Sequence, residues 1–311
     1  MAITRSSLKT GPAIVTFDGA VVYFKNGLKL TEVIETFEVT VDNYGKVDDR
    51  VKDRKVTISG TPAGEWESLA MLFPWLGAVI GARAHGDTDR PLVVHAIDGT
   101  RYTYHNATLT KMPSLKFAPT ETLLGDVEWM ARVKDNTEPT AANSLYTRDT
   151  AAFVDASFVT ANVRTQPYTL SWGTTPWDSF ATVDGVEVTF ETKWQDLTVA
   201  GYGVLDQILE NLQVSAKFKP LGVTQAAIDA KLLLQGAAGA AQGSSLNARG
   251  VDLSIVGTGV FVTLRGAAAK SMGQEFGMGK LRNGEMEAIA TRTFVAGVAV
   301  PLAYVGTVAP A

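Results

Sequence analysis

The sequence predicts a mainly β fold with one helix per domain, in two tandem β-barrel or β-sandwich domains that arose by duplication. Three observations predict it. Short runs of alternating apolar and polar residues recur along the whole chain. Only one stretch in each half has a convincing helical spacing. Two segments of the first half recur in the second, in the same order and at nearly the same offset.

At 311 residues the chain is long enough for two domains that bury their own cores. It is 46% hydrophobic and 19% charged, a globular composition. Residues 1–150 hold 17 Lys and Arg against 19 Asp and Glu, and the remainder 11 against 13, so neither half is a basic lobe built to wrap nucleic acid. There is no cysteine, which excludes disulfides, thiolate metal sites and thiol nucleophiles. The apolar stretches at 69–82 and 294–306 are short and contain proline, so no membrane span is expected. The N-terminal residues lack the apolar core of a signal peptide, which points to a protein acting in, or assembled in, the cytoplasm.

The repeat carries the domain organisation. Under a shift of 158, positions 39–62 fall on 197–220 with seven identities: Thr40/Thr198, Val41/Val199, Tyr44/Tyr202, Gly45/Gly203, Asp48/Asp206, Val56/Val214 and Pro62/Pro220. Under a shift of 159, Lys111, Phe117, Gly125, Glu128 and Ala131 fall on Lys270, Phe276, Gly284, Glu287 and Ala290. A unit of this size is a domain, not a solenoid repeat. The expected division is 1–140, a linker at 141–159, and 160–311, the linker following the polar, proline-containing run at 136–144.

In the first half "TFEVTVD" (36–42), "KVTIS" (55–59) and "RYTYHNATL" (101–109) read as strands. The helix is expected to open at Thr61-Pro62, with Trp66, Leu69, Ala70 and Phe73 on one face. In the second half "GVEVTF" (185–190) and "QVSAKF" (213–218) read as strands, 224–234 as the helix, and 252–264 as a hairpin around Gly257-Thr258-Gly259. The apolar end from Phe294 fits either a strand of its own domain or an arm on a neighbour.

Candidate chemistry is sparse. His85, His95 and His105 are evenly spaced by ten, unlike the tight pairs that ligate metals. The glycine-rich runs at 235–245 and 277–284 lack the Lys-Ser/Thr ending or the strand-to-helix setting of a phosphate loop. No nucleophile elbow is present. The expectation is a protein that is not an enzyme, with no catalytic residues, cofactor or metal. Trp172 and Trp177 flank "GTTP" and raise a rival reading, a carbohydrate-binding β module whose exposed indoles stack on sugars.

The order of "TFEVTVD", "YGKVDDR", "RKVTISG" and "TPAGEWESLAMLF" resembles the phage tail-tube family. The resemblance covers the first half best and reaches the second through the repeat. It implies a β-barrel or sandwich flanked by a helix, with a long loop between two strands. It further implies six-membered rings stacked into a tube. A chain with two copies would need three molecules per ring, a pseudo-hexamer from a homotrimer, in the tail of a long-tailed phage virion assembled in the host cytoplasm. Implied partners are further copies of itself and tail proteins such as tape measure and terminator. DNA would pass through the lumen without specific binding, and no membrane is involved. A tail hub, a distal ring or a contractile-injection inner tube shares the same pattern.

Within that reading two residue sets stand out. Glu38, Thr40 and Asp42, with Glu187, Thr189 and Glu191, are candidates for a lumen face whose carboxylates repel phosphate, or for a solvated outer face. Eight of the ten residues from Lys46 to Lys55 are charged. Lys46, Asp48, Asp49, Arg50, Lys52, Asp53 and Arg54 form a candidate inter-ring contact loop, against the alternative of a solvated loop with local ion pairs. The matching segment of the second copy is apolar. Leu205, Ile208, Leu209 and Leu212 there have the spacing of a short amphipathic helix.

Overall fold

A computed structural model describes residues 13–63, 69, 71–85, 90–118, 123–132, 144–154, 168–173, 175–176, 182–199, 203–220, 251–257, 259–274, 278, 283–292, 294–295 and 298–308. The first half contains β1 (Ala13–Phe17), β2 (Ala20–Val22), β3 (Phe24–Val41), β4 (Gly45–Pro62), β5 (Leu92–Ala96), β6 (Thr100–Tyr104), β7 (Ala107–Lys111), β8 (Leu115–Phe117), β9 (Val127–Arg132) and β10 (Tyr146–Thr150). The second contains β11 (Tyr168–Trp172), β12 (Thr175–Pro176), β13 (Thr182–Val199), β14 (Gly203–Pro220), β15 (Val251–Gly257), β16 (Val260–Gln274), β17 (Asn283–Ile289), β18 (Phe294–Val295), β19 (Val298–Ala299) and β20 (Ala303–Gly306). The fold is nearly all β, with a nearly closed, barrel-like sheet.

One sheet runs β10-β6-β5-β1-β2 and another β3-β4-β9-β7. The second half combines both patterns in one sheet, β12-β11-β15-β16-β17-β14-β13-β8, with β20 on β16. The difference lies at one corner. Asn106 turns the chain between β6 and β7 with φ 48°, while Gly266 bends the uninterrupted β16 with φ 52°. Both are left-handed conformations, which asparagine and glycine tolerate best.

The long hairpins match in detail. β3 and β4 are each 18 residues long, as are β13 and β14, and each second strand begins four positions after the first ends. The β3–β4 register shifts at Phe24/Leu28, Glu35/Thr36 and Val39/Thr40; the β13–β14 register shifts at Thr182/Val186, Lys193/Trp194 and Leu197/Thr198. Each member of the second set stands 158 positions after its counterpart. β9 lies on β4 as β17 lies on β14, with Ile58 opposite Trp129 and Ala216 opposite Ala288.

The core is continuous across both halves, from Ile58, Leu109 and Trp129 to Val188, Val214 and Ile255. Trp129 is fully buried and packs with Phe17 and Phe24 at 5.8 and 5.9 Å between ring centroids. β8 crosses from the first half to pair with β13 of the second.

The strand expectations hold except at 101–109, which a turn at His105 and Asn106 divides into β6 and β7 of different sheets, and the hairpin at 252–264 is β15 and the start of β16. The helix opening at Thr61-Pro62 does not form there. Pro62 is the last residue of β4, where its missing N–H costs the ladder little, and the next donor, Ala63 N–H, bonds to Tyr23 O at 2.7 Å. Leu69, Met71 and Leu72 have 3₁₀ character, while Trp66, Ala70 and the second expected helix at 224–234 lie outside the described residues. Residues Tyr146–Thr150, expected in the linker, pair with β6. The C-terminal stretch folds into its own half, with β20 on β16.

Candidate assembly surface

The charged segment is a strand, not a loop. Lys46 to Arg54 belong to β4 and pair along their length with β3. Two bulges disguise the alternation. Val47 and Lys52 are the extra residues where Val39/Thr40 meet Asp48/Lys46 and Glu35/Thr36 meet Asp53/Val51. Each bulge switches the faces of the strand beyond it.

All residues from Gly45 to Lys52 are exposed, among them Lys46, Asp48, Asp49, Arg50 and Lys52 of the expected contact set. Lys46 lies 2.8 Å from Asp49 and 3.9 Å from Glu38, and Arg50 lies 3.6 Å from Asp48. Such exposed pairs contribute under about 1 kcal/mol each. Phe37, Val41, Tyr44, Val47 and Val51 are exposed beside them, so the hairpin end is as apolar as it is charged. Arg54 is half-buried.

Asp53 departs from the set. It is buried against Arg132 at 3.1 Å and lies 3.8 Å from Lys55, which also pairs with Glu35. Burial pushes the Asp53 carboxyl above its ordinary value, opposed by Arg132 and Lys55. Arg132 also reaches Asp196 of the second half at 3.5 Å. Asp53 therefore holds the fold and is not available to a partner.

The second hairpin meets different surroundings. A stretch of the first half runs beside β14: Gly81 N–H bonds to Leu209 O and Leu209 N–H to Ala82 O, both at 2.8 Å, and Ala84 N–H bonds to Gln207 O at 2.7 Å. Trp75 packs edge-on to Trp194 at 4.9 Å, and both indoles donate to carbonyls of the first half, Trp75 to Leu109 and Trp194 to Thr110. The amphipathic helix expected at Leu205–Leu212 is part of β14. Its bulges at Leu205 and Glu210 set Leu209 and Leu212 three apart on the buried face, which mimics a helical period. The residues matching this cover for the first hairpin, 235–244 by the repeat, lie outside the described residues.

Under that cover sits a polar cluster that sequence spacing does not reveal. Asp206 is 1% exposed. It accepts hydrogen bonds from Arg83 Nε at 2.8 Å, His85 N–H at 3.0 Å and Gln207 N–H at 2.7 Å, and His85 Nδ1 lies 3.0 Å away. Burial pushes its carboxyl up, but the bonds from His85, Gln207 and Arg83 outweigh it and hold the group below its ordinary value. His85 Nε2 faces Met130 O at 3.2 Å, so both ring nitrogens are engaged. A cavity of about 290 Å³ adjoins the cluster, lined by Trp75, Arg83, His85, Asn106 and Thr108 among others. The cluster ties the two halves together. The one hint in sequence is Asp206 itself, an acid repeated from Asp48 inside an otherwise apolar stretch.

The two lumen sets do not share a face. Glu38, Thr40 and Asp42 lie at the exposed end of the first hairpin, whereas Glu187, Thr189 and Glu191 lie near the base of the second, opposite the buried Val186, Val188 and Phe190. Under the 158 offset Glu38 matches Asp196, an odd number of positions from Glu187, and β13 carries no extra residue between them. Around Glu187 the charges alternate across the sheet: Lys116 on one side, Lys217 on the other, then Glu287. Thr189 shares a hydrogen bond with Ser215 at 2.8 Å.

His95 is a strand residue facing Ala151 O at 3.1 Å, and His105 lies in the turn between β6 and β7, facing Thr147 Oγ1 at 3.3 Å. Among the described residues no three of His, Asp and Glu come together as a metal-binding group. Trp172 is buried and donates to Ala267 O at 3.2 Å, so its ring is not open to a sugar; Trp177 lies outside the described residues. Comparison with protein-family models and with curated proteins returns no match.

Proposed function

We propose that this chain is a structural subunit of a phage tail tube, built from two tandem copies of one domain that arose by duplication. Three chains form a pseudo-hexameric ring, and rings stack into a hollow conduit for DNA, in a virion tail assembled in the host cytoplasm. No catalysis, cofactor or membrane enters this reading. Its partners are further copies of itself and the other tail proteins.

The observation that carries it is the pair of matching 18-residue hairpins, one with its second strand covered within the chain over the outer half and one exposed on both strands there. An extended hairpin with exposed Phe37, Tyr44 and Val51 and mixed charges needs a neighbour to cover it. A second copy supplies one, and head-to-tail contacts between repeated units close rings. Lumen candidates divide by hairpin. The Glu187 face carries Lys116 and Lys217 as well, so a lumen built from it would be charge-balanced rather than acidic. The inter-ring contact reduces to Lys46, Asp48, Asp49, Arg50 and Lys52.

Negative-stain microscopy of the purified protein tests the reading. Open-ended tubes or stacked rings support it. Single trimeric rings that never stack assign the chain to a hub or distal ring instead. A monomer at every concentration that is retained on a glycan column would overturn both.

A further inference from the structure

The second strand of each long hairpin has an outer edge, and the two edges differ. β9 and β17 cover the inner part of these edges. Beyond it, β14 is taken by an extended segment of the first half. Arg83 stands opposite Ile208 as an antiparallel bridge. Leu209 N–H donates to Ala82 O, Leu209 O accepts from Gly81 N–H, and Gln207 O accepts from Ala84 N–H. Among the described residues, β4 pairs over Gly45–Val51 with β3 alone.

The registers show that both edges offer the same backbone groups. Thr36 faces Val51, Phe37 faces Arg50 and Glu38 faces Asp49; 158 positions on, Trp194 faces Leu209, Gln195 faces Ile208 and Asp196 faces Gln207. Residues along an antiparallel pair turn their N–H and C=O alternately toward and away from the partner strand. Val51 and Asp49 therefore point theirs away from β3, as Leu209 and Gln207 do from β13. An open row of this kind is a template for a further strand.

The side chains indicate what fills it. Asp206 accepts hydrogen bonds from Arg83 and His85 of the covering segment. Its counterpart Asp48 is the same acid, left in solvent beside Arg50. The apolar residues around it are exchanged for polar ones: Phe190, Trp194 and Leu212 of the covered hairpin stand where the open one has Glu32, Thr36 and Arg54. A contact made within one chain stays out of water once the chain has folded, so it can be apolar. A surface that meets its partner after folding has to be soluble first, and mixed polar residues around a few apolar ones suit it. Here the apolar ones are Ile34, 64% exposed, and Val51. The open hairpin thus has the backbone and the acid of the half-to-half contact, with the composition of a contact between chains.

We propose that the outer edge of β4, from Asp48 to Val51, receives an extended segment of a second copy of this chain by strand addition. Asp49 and Val51 supply the backbone bonds, and Asp48 accepts from donors of the added segment as Asp206 does within the chain. The site lies on the first half and its counterpart on the second is filled from within, so the contact is head-to-tail and carries the order of halves from one chain to the next. It rests on the self-assembly part of the function proposed above and is independent of whether rings stack into tubes.

Hydrogen exchange of the full chain over a concentration series, read beside sedimentation, tests it. Peptides spanning Gly45–Val51 are expected to gain protection as the chain associates, while those spanning Gly203–Leu209 are protected at every concentration. Val51→Pro removes the outward N–H and leaves the bonds to β3 in place. It is expected to weaken association by about tenfold more than Val51→Ala, which keeps that N–H. Asp48→Ala should weaken association by about tenfold or more. If Val51→Pro does not fold, Asp48→Ala and the exchange pattern decide. Association that leaves Gly45–Val51 unprotected, or that Asp48→Ala does not change, would overturn this contact and keep the tube. A chain that is monomeric at every concentration would overturn the contact and the self-assembly together. Rings that protect this edge but never stack would support the contact and remove the tube.

Discussion

Asp48 and Asp206 stand at the same position of two matching hairpins, 158 residues apart, and only Asp206 is enclosed. Asp48 pairs with Arg50 in solvent, while Asp206 gathers Arg83, His85 and Gln207 beneath the stretch that covers β14. Replacing Asp206 with alanine removes a buried acceptor and leaves the enclosed His85 without it, and is expected to cost about 3 kcal/mol. Asp48→Ala should change stability by less than about 0.5 kcal/mol. Urea unfolding of both variants checks the contrast.

The same carboxylate sets a pH dependence. Its folded-state pKa lies below the ordinary value of 3.8. The unfolded chain therefore binds the proton more tightly, and stability falls as pH drops. The contribution is fully present well above about pH 4 and is lost as pH falls through the lower folded value. Asp206→Asn should flatten this part of the acid limb. The check is the urea midpoint at about pH 7 and about pH 3, and an acid limb as steep as that of the parent would remove Asp206 as its source.

Leu209 and Val51 make the same comparison for apolar packing. They match under the repeat, yet Leu209 is 0% exposed and Val51 50%. Leu209→Ala should cost about 2–5 kcal/mol, and Val51→Ala no more than about 0.5 kcal/mol in the unassembled chain. If Val51 lies in a contact between copies, its loss will appear instead as weaker assembly in sedimentation, with thermal unfolding of the monomer unchanged.

Charge reversal separates the contact residues from the structural one. Asp48→Lys with Asp49→Lys leaves only exposed groups altered, so the monomer should unfold within about 1 kcal/mol of the parent. If the hairpin end sets the register between rings, this variant forms rings but few tubes. Normal tubes would remove the inter-ring role. Asp53→Lys is a different experiment, because it places a second cation against the buried Arg132. It should unfold the chain or leave it insoluble on expression.

Much of the fold was legible because strands write a period of two. Glu187, Thr189 and Glu191 opposite Val186, Val188 and Phe190 is such a stretch, and β13 follows it. Hairpin lengths and bulges recur at the 158-residue offset of the sequence repeat. Two of the failures share a physical source. The bulges at Leu205 and Glu210 re-phase β14 and imitate a helix, and those at Val47 and Lys52 hide a strand among charges. Pro62 reads equally well as a helix start or a strand end, and only its partner strand decides. The Asp206 cluster was hidden because Arg83 and His85 lie more than 120 residues away, on a segment with no regular period.

Gly185 and Gly27 give the sharpest comparison between the covered and the open edge. Both carry a left-handed φ, so alanine at either place adds strain of about 1–2 kcal/mol. At Gly185 it must also push away the Phe117 carbonyl, which breaks the seat of β8 on β13. In the unassembled chain Gly185→Ala should therefore cost at least about twice as much as Gly27→Ala, read as the difference in thermal midpoints. Equal costs would mean that β8 does not hold the second hairpin in solution.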